Sequence, residues 1–311
     1  MLRTIKPKNA RSKRALKNRE PKVEENPKQA IFIRGSSTNQ IVNTALSDLC
    51  SIKKPYSIMF SKKNAIHPFD DQSSLEFFSQ KNDASLFCVG TNSKKRPNNL
   101  VFVRMFDYQV LDMIELGIEN FKSLHDFKST KSSIGMKPLF VFNGELFEQR
   151  EEYKKLKNML LDFFRDEVAE SVNLKGLEYI ISVTAEPVAN PTDFGKVFFR
   201  VYTIQMKKSG TKQPRIELEE MGPSFDFVFR RNRFAGEDVM KEATKIPKEL
   251  QAKKVKNITH NDVGDKMGRI HMKKQNFDNL QTRKMKALKK KFNKVEENNK
   301  EEPSTKKAKT A

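Results

Sequence analysis

The chain has 311 residues, of which 60 are Lys or Arg and 39 are Asp or Glu, so its formal net charge is +21. No apolar run approaches the roughly 18–20 residues that a helix needs to cross a bilayer. Size and composition therefore predict a protein with a sizeable folded core and exclude a membrane-spanning one, so no membrane partner is expected.

The positive charge is concentrated near the two ends of the chain. Residues 1–28 contain ten basic and three acidic side chains, and residues 245–294 contain sixteen and four. Residues 29–244 carry thirty basic and twenty-eight acidic groups and are nearly neutral. Because cationic segments release condensed counterions when they bind a polyanion, nucleic acid is the predicted partner.

This distribution predicts four segments along the chain. They are a basic N-terminal arm (1–28), a folded domain (29–235), a basic C-terminal extension (236–294) and a disordered tail (295–311). The arm lacks apolar periodicity, and a helical piece around 10–19 is expected when it is bound.

Apolar periodicity predicts a mixed α/β domain whose second half is richer in strands. Predicted strands lie at 29–34, 85–90, 100–106, 138–142, 177–183, 197–206, 215–219 and 225–229. Predicted helices lie at 41–49, at 108–124 and around 156–164, and Glu151 and Glu152 suit the start of the last helix. Residues 94–99 form the turn between the second and third strands, which makes a hairpin with a basic tip.

One predicted helix rests on spacing alone, and one repeated pattern suggests where two halves begin. The helix at 108–124 is predicted because Val110, Ile114, Ile118 and Phe121 recur at helical spacing. A strand followed by Gly and small polar residues occurs near 29–37 and again near 85–91. This repetition suggests that two similar halves begin at these points.

The two cysteines, Cys50 and Cys88, each lie in an apolar stretch. An apolar setting favours a buried thiol in a reducing compartment over a disulfide. Both are therefore predicted to be free.

No residue pattern predicts catalysis. The turn Gly35-Ser36-Ser37-Thr38 precedes a predicted helix, but it lacks the second Gly followed by Lys and Ser/Thr of a phosphate loop. The four His residues are widely separated, and none has metal-ligand spacing to a cysteine. The chain is therefore not expected to be an enzyme, to bind a metal or to need a cofactor.

Two short basic clusters in the domain are candidate RNA contacts. The first is the hairpin tip Lys94-Lys95-Arg96, for which a solvated turn is the alternative. The second, Arg230, Arg231 and Arg233, follows an alternation of three Phe residues at 225, 227 and 229. These Phe residues are expected to face the core of a strand rather than to stack on bases.

The C-terminal extension contains an amphipathic pattern at 276–294. Phe277, Leu280, Met285, Leu288 and Phe292 fall on one side of a helix, and Arg283, Lys286, Lys290 and Lys294 fall on the other. The apolar stripe suits a protein surface and the basic face suits phosphates. Membrane-surface or calmodulin-type binding has the same geometry, but a second basic arm at the other end favours RNA.

Read together, several segments resemble the Brix-domain family of ribosome-assembly proteins. The matching stretches are 30–35, 66–71, 74–78, 94–99, 111–116, 199–202 and 220–223. Motifs at 3–11, 264–272 and 280–286, outside the domain, resemble one group within that family. Ser224 departs from the family pattern, in which Arg usually follows Gly-Pro, so a contact ascribed to that Arg is not carried over.

The resemblance implies an α/β Brix domain of two similar halves, with a basic N-terminal arm and a basic helical C-terminal extension. It implies a nucleolar ribosome biogenesis factor that acts by binding 5S rRNA and large-subunit rRNA. Such a factor works as an obligate pair with a regulator of ribosome synthesis protein. The pair recruits the 5S RNP, containing 5S rRNA, uL18 and uL5, to the pre-60S particle and so supports rRNA processing and large-subunit assembly.

The basic residues are the predicted RNA-binding set. They are Arg3, Lys6, Lys8, Arg11, Lys13 and Arg14 in the arm; Lys94, Lys95, Arg96, Arg230, Arg231 and Arg233 in the domain; and Lys266, Arg269, His271, Lys273, Lys274, Arg283, Lys284, Lys286 and Lys290 in the extension. A chromatin- or DNA-associated protein with the same arms is the alternative, and a nucleotide hydrolase or nuclease is a rival that the missing motifs disfavour.

Overall fold

The computed structural model describes residues 7–19, 26–165, 172–188, 194–211, 213–246, 255–261, 263, 265–272 and 274. The chain divides into two compact units, residues 1–251 and 252–311. In the described part of the first unit, six helices accompany one mixed sheet of ten strands.

The bounds of these elements are as follows. The strands are β1 (Ala30–Gly35), β2 (Ser57–Asn64), β3 (Leu86–Thr91), β4 (Asn99–Phe106), β5 (Gln109–Lys122), β6 (Leu139–Asn143), β7 (Tyr179–Ala185), β8 (Val197–Lys207), β9 (Arg215–Glu220) and β10 (Ser224–Arg233). The helices are α1 (Ala10–Arg19), α2 (Gln40–Ile52), α3 (Ser73–Asn82), α4 (Leu146–Gln149), α5 (Glu151–Phe164) and α6 (Glu237–Ala243).

The sheet is built from two halves with the same strand pattern. Its order is β2-β1-β3-β4-β5-β10-β8-β7-β6, and β9 also pairs with β8. In the first half β1 is parallel to β3, and β4 and β5 follow antiparallel. In the second half β6 is parallel to β7, and β8 and β10 follow antiparallel. The halves meet where β5 pairs with β10, so the expected α/β fold of two similar halves is confirmed.

The two halves do not begin where the repeated sequence pattern placed them. The pattern near 29–37 and 85–91 corresponds to β1 and β3, which are neighbours within the first half. The second half begins at β6. The pattern recurs because β1 and β3 are parallel and both end at the same sheet edge. The prediction that the two halves begin at these two points is therefore wrong.

The predicted helix at 108–124 is also wrong, because this segment forms strand β5. Residues Leu111–Ile118 are buried without alternation, since β5 is a central strand with both faces covered. A spacing of four residues returns to the same face of a strand as well as of a helix, so Ile114 and Ile118, which pack in the same core, fit either element. Val110 packs on the other face, because the register of β5 with β4 shifts between Asp112 and Val110. The other predicted strands and helices lie within a few residues of the observed ones, including the piece at 10–19.

Helices α2 and α5 pack on one face of the sheet and form the larger core with residues such as Phe32, Phe102 and Phe199. Helix α3 packs on the other face, against the first half only. The described residues form no buried cluster on that face of the second half, where Ile180, Phe198 and Tyr202 remain partly exposed.

Cys50 and Cys88 are both buried and unpaired, as predicted. Burial raises the pKa of the Cys88 thiol well above its usual range. The thiol is therefore protonated and unreactive at neutral pH.

The described part of the second unit contains a short hairpin of β11 (Ile258–His260) and β12 (Lys266–Gly268). The imidazole Nε2 of His271 lies 2.8 Å from the amide oxygen of Asn257 and ties the segment after β12 back to the start of the hairpin. The amphipathic helix predicted at 276–294 and the tail at 295–311 lie outside the described residues.

Candidate nucleic-acid interface

The tip of the β3–β4 hairpin has a closed backbone and an exposed basic surface. Reciprocal bonds join the backbones of Ser93 and Arg96, at 3.1 and 3.2 Å, and the backbone N–H of Asn98 donates to the Asn92 side chain at 3.0 Å. Lys94 and Lys95 are exposed between them. The tip therefore presents two exposed ammonium groups from a fixed turn.

A buried carboxylate, Glu115 on β5, anchors this tip. Its side chain is 1% exposed and accepts hydrogen bonds from the Asn99 amide, at 2.6 Å, and from the guanidinium of Arg231. The guanidinium of Arg96 lies 3.7 Å from the same carboxylate. The bond with Glu115 raises the pKa of Arg231, which is charged throughout the ordinary pH range.

Arg230 fastens the tip from the neighbouring strand. Its guanidinium donates to the Asn99 side-chain oxygen at 2.9 Å and to the Pro97 carbonyl at 2.8 Å. The group fits because β5 has Gly117 beneath it, where a Cβ would overlap the guanidinium. Burial lowers the pKa of Arg230, an effect that Glu115 partly offsets.

The fold thus joins two basic clusters that the sequence treats as separate. Arg230 and Pro97 are 133 positions apart, and the pairing of β5 with β10 brings them together. Arg233 lies exposed at the end of β10. Arg233 pairs with Met113 on β5 and so lies further along the sheet than Asn99, which pairs with Gly117 at the tip. Arg230 and Arg231 mainly hold the tip in place, which leaves Lys94 and Lys95 as its outward cations.

Sequence reasoning missed Glu115 and Asn99 as members of this cluster. A signal was available, because a Glu inside a buried apolar run must be paired with a cation or strong donors. The partner could not be identified without the strand pairing.

A cavity of about 150 Å³ lies beside the tip. It is lined by Ser36, Ser37, His67, Pro68, Phe69, Asp70, Thr91, Asn92, Ser93, Arg96, Asn99, Val101, Glu115 and Arg231. The guanidinium of Arg231 lies over the Phe69 ring, 4.2 Å from its centroid.

The turn that precedes α2 is an ordinary strand-to-helix connection, as predicted. Asn39 is the N-cap of α2, and its side-chain oxygen accepts the backbone N–H of Val42 at 2.9 Å. Ser37 donates to the Asn92 carbonyl at 2.6 Å and joins this turn to the end of β3.

The other predicted RNA-binding residues fall into two groups. Lys8, Arg11, Lys13 and Arg14 on or next to α1, and Lys266, Arg269, His271 and Lys274 in the second unit, are exposed. Arg3, Lys6, Lys273, Arg283, Lys284, Lys286 and Lys290 lie outside the described residues. Phe225, Phe227 and Phe229 are at most 4% exposed, so their predicted place in the core is confirmed.

The described residues lack the features of a membrane span and of a metal site. None of the helices there has the length and apolar character required to cross a membrane. No three His, Cys, Asp or Glu side chains in the same part of the chain come together as a metal-binding group. Ser224, where the resemblance leads one to expect Arg, is buried at the first position of β10.

Comparison with known proteins gives consistent matches over most of the chain. The model of the Brix domain matches residues 35–231. A Schizosaccharomyces pombe protein named ribosome production factor 2 homolog is 49% identical over 306 residues, covering 97% of this chain and 96% of that protein. The human protein of the same name is 51% identical over 266 residues, covering 86% and 85%. The Saccharomyces cerevisiae ribosome biogenesis protein RPF2 is 48% identical over 303 residues, covering 94% and 86%.

Proposed function

Because the chain belongs to the Brix-domain family and is similar along most of its length to ribosome biogenesis factors, we propose that it assembles the large ribosomal subunit by binding rRNA. With a regulator of ribosome synthesis protein as its obligate partner, it recruits the 5S RNP of 5S rRNA, uL18 and uL5 to the pre-60S particle in the nucleolus. It acts by binding and performs no catalysis.

The observation that carries this proposal is the fixed basic tip of the β3–β4 hairpin. The hydrogen bonds of Arg230 to Asn99 and Pro97, and of Arg231 to Glu115, hold the turn in place. Lys94 and Lys95 therefore meet a phosphate backbone without first losing conformational freedom of the main chain. The exposed cations of α1 and of the second unit add sequence-independent phosphate affinity.

The tip is tested by replacing Lys94 and Lys95 together with Gln. If each lysine neutralises one phosphate, the slope of log affinity for 5S rRNA against log salt falls by about 1.4–1.8. Gel-shift or anisotropy titrations over a salt series measure this slope. The matched control is Lys62→Gln with Lys63→Gln, an exposed pair on β2. Equal losses in both double variants would show that net charge, and not the tip, sets the affinity.

The partner protein is proposed to cover the open sheet face of the second half. In the first half α3 covers this face of the sheet. On the same face of the second half, Ile180, Phe198 and Tyr202 remain partly exposed. An apolar face on which the described residues place no helix suits a partner that supplies one.

Replacing Tyr202 with Glu should abolish co-purification of the regulator of ribosome synthesis protein. The control is Phe77→Glu on α3, an aromatic that is 54% exposed in the first half. Thermal unfolding of both variants checks that the body is intact. Retention of the partner by a folded Tyr202→Glu variant would place its binding surface elsewhere.

The competing function, association with duplex DNA, is tested in the same titrations. Preferential displacement of the bound RNA by a DNA duplex of equal length would favour a chromatin protein.

A further inference from the structure

The strand order around β1 creates a crevice at one sheet edge. Strand β1 is parallel to both β2 and β3, so the carboxyl ends of all three lie at that edge. Helix α2 leaves β1 on the face of the larger core, and α3 returns to β3 on the opposite face. Such a change of face is a topological switch point, where open α/β sheets bind ligands.

The cavity beside the hairpin tip lies at this switch point. Its walls come from the β1–α2 turn, the loop at 67–70 that leads from β2 to α3, and the end of β3. Ser36, His67 and Ser93 are exposed, so the cavity opens to solvent on their side. Its volume of about 150 Å³ is large enough for one planar ring system.

The lining is polar and aromatic, and its charges cancel. Hydroxyl and amide groups come from Ser36, Ser37 and Asn92. The guanidinium of Arg231, stacked on Phe69, provides a flat surface of the kind on which bases stack. The charge of Arg231 is neutralised by Glu115. This chemistry recognises a neutral hydrogen-bonding ring better than a phosphate.

Cations for phosphates begin immediately outside the cavity. Lys94 and Lys95 directly follow Ser93 of its wall and are exposed. We infer that the cavity binds one unpaired nucleobase of RNA, while Lys94 and Lys95 contact the phosphates that flank it. This inference rests on the proposed RNA-binding function and assigns a base-binding subsite to the tip.

The test compares two RNA hairpins of equal length, one fully paired and one with a single unpaired nucleotide. Ser36→Phe in the full chain plugs the mouth of the cavity, and Ser47→Phe on the exposed side of α2 is the matched control. His67→Ala, which removes one wall, is a second variant. Fluorescence anisotropy gives the affinities, and 2-aminopurine at the unpaired position reports stacking through its quenching.

We expect Ser36→Phe to weaken binding of the RNA with the unpaired nucleotide about tenfold and to abolish the quenching. Binding of the paired RNA and the salt slope should not change. His67→Ala should lower the preference for the unpaired nucleotide, and Ser47→Phe should retain it.

Equal binding of both RNAs by wild type and Ser36→Phe would overturn the base subsite. The lysine double variant then decides the phosphate contact separately, because loss of affinity for both RNAs in that variant would leave the proposed function standing. Thermal stabilisation of wild type, but not of Ser36→Phe, by free nucleoside monophosphates without any preference between the RNAs would assign the cavity to free nucleotides and overturn the inference.

Discussion

Glu115 shows how a single buried charge can organise a surface. A carboxylate in a central strand is costly unless donors surround it. Here the donors are Asn99 and Arg231, with Arg96 close by, and two of these three residues belong to the hairpin that presents Lys94 and Lys95. The energetic requirement of the core thus fixes the shape of the exposed tip.

Replacing Glu115 with Gln should destabilise the folded chain by about 1–3 kcal/mol, because the Arg231 guanidinium loses its charged acceptor and one bond is left unmade. Urea unfolding measures the change. The control, Glu119→Gln on the same strand, removes an exposed pair with Lys196 and should have little effect. Similar urea midpoints for the two variants would contradict the anchoring role of Glu115.

A second buried carboxylate, Asp48 on α2, makes folding stability depend on pH. Burial raises its pKa, although the Leu124 N–H and the Ser123 hydroxyl donate to it at 3.0 and 2.8 Å. A carboxyl that holds its proton more tightly when folded stabilises most below its usual pKa, and this contribution is lost as pH rises through the raised value.

Asp48→Asn should therefore gain stability relative to wild type as pH increases from 4 to 7. Urea midpoints of both proteins across this range give the difference, in which the opposite contributions of other carboxyls cancel. A constant difference would contradict a raised pKa at Asp48.

At the scale of elements, the sequence predicts segments well where short apolar runs are bounded by turn residues. β1, β3, β4 and β6 are of this kind. The prediction for β5 was wrong because a strand buried on both faces loses its apolar/polar alternation. Strand β2 was not predicted because its second half, residues 61–64, is polar and lies at a sheet edge. The apolar pattern of a strand does not show which of its faces a neighbouring element will cover.

The contact between β5 and β10 gives a prediction for the tip as an element. Gly117→Ala would displace the Arg230 guanidinium from Asn99 and Pro97. We expect faster amide hydrogen exchange at residues 93–98, with other strands of the first half unchanged, measured by mass spectrometry. Gly236→Ala is the control, since nothing lies within 4 Å of its added Cβ. Unchanged exchange at the tip would show that Arg230 does not hold it.

At the scale of the whole molecule, the basic residues of the site could be chosen from the sequence but their arrangement could not. The hairpin tip and Arg230 are joined by a strand pairing across 133 positions, and no local signal encodes its register. The cavity likewise requires the ends of the parallel strands β1 and β3 and a loop that leads to the other face. That the described residues leave one face of the second half without a helix becomes visible only by comparison with the first half.

The division into two units predicts that folding and much of the phosphate affinity can be separated. Deleting residues 252–311 should leave the melting temperature of the first unit nearly unchanged, because the ten-stranded sheet and both cores lie within residues 1–251. The same deletion removes Lys266, Arg269 and the predicted helix at 276–294, so affinity for 5S rRNA should fall and its salt slope should flatten. Circular dichroism melting and gel shifts at several salt concentrations measure the two effects.

The control is the full chain with Arg283, Lys286 and Lys290 changed to Glu, which should reproduce the loss of RNA binding at full length. An unchanged affinity across the salt series in both proteins would refute the proposal that the C-terminal extension holds RNA.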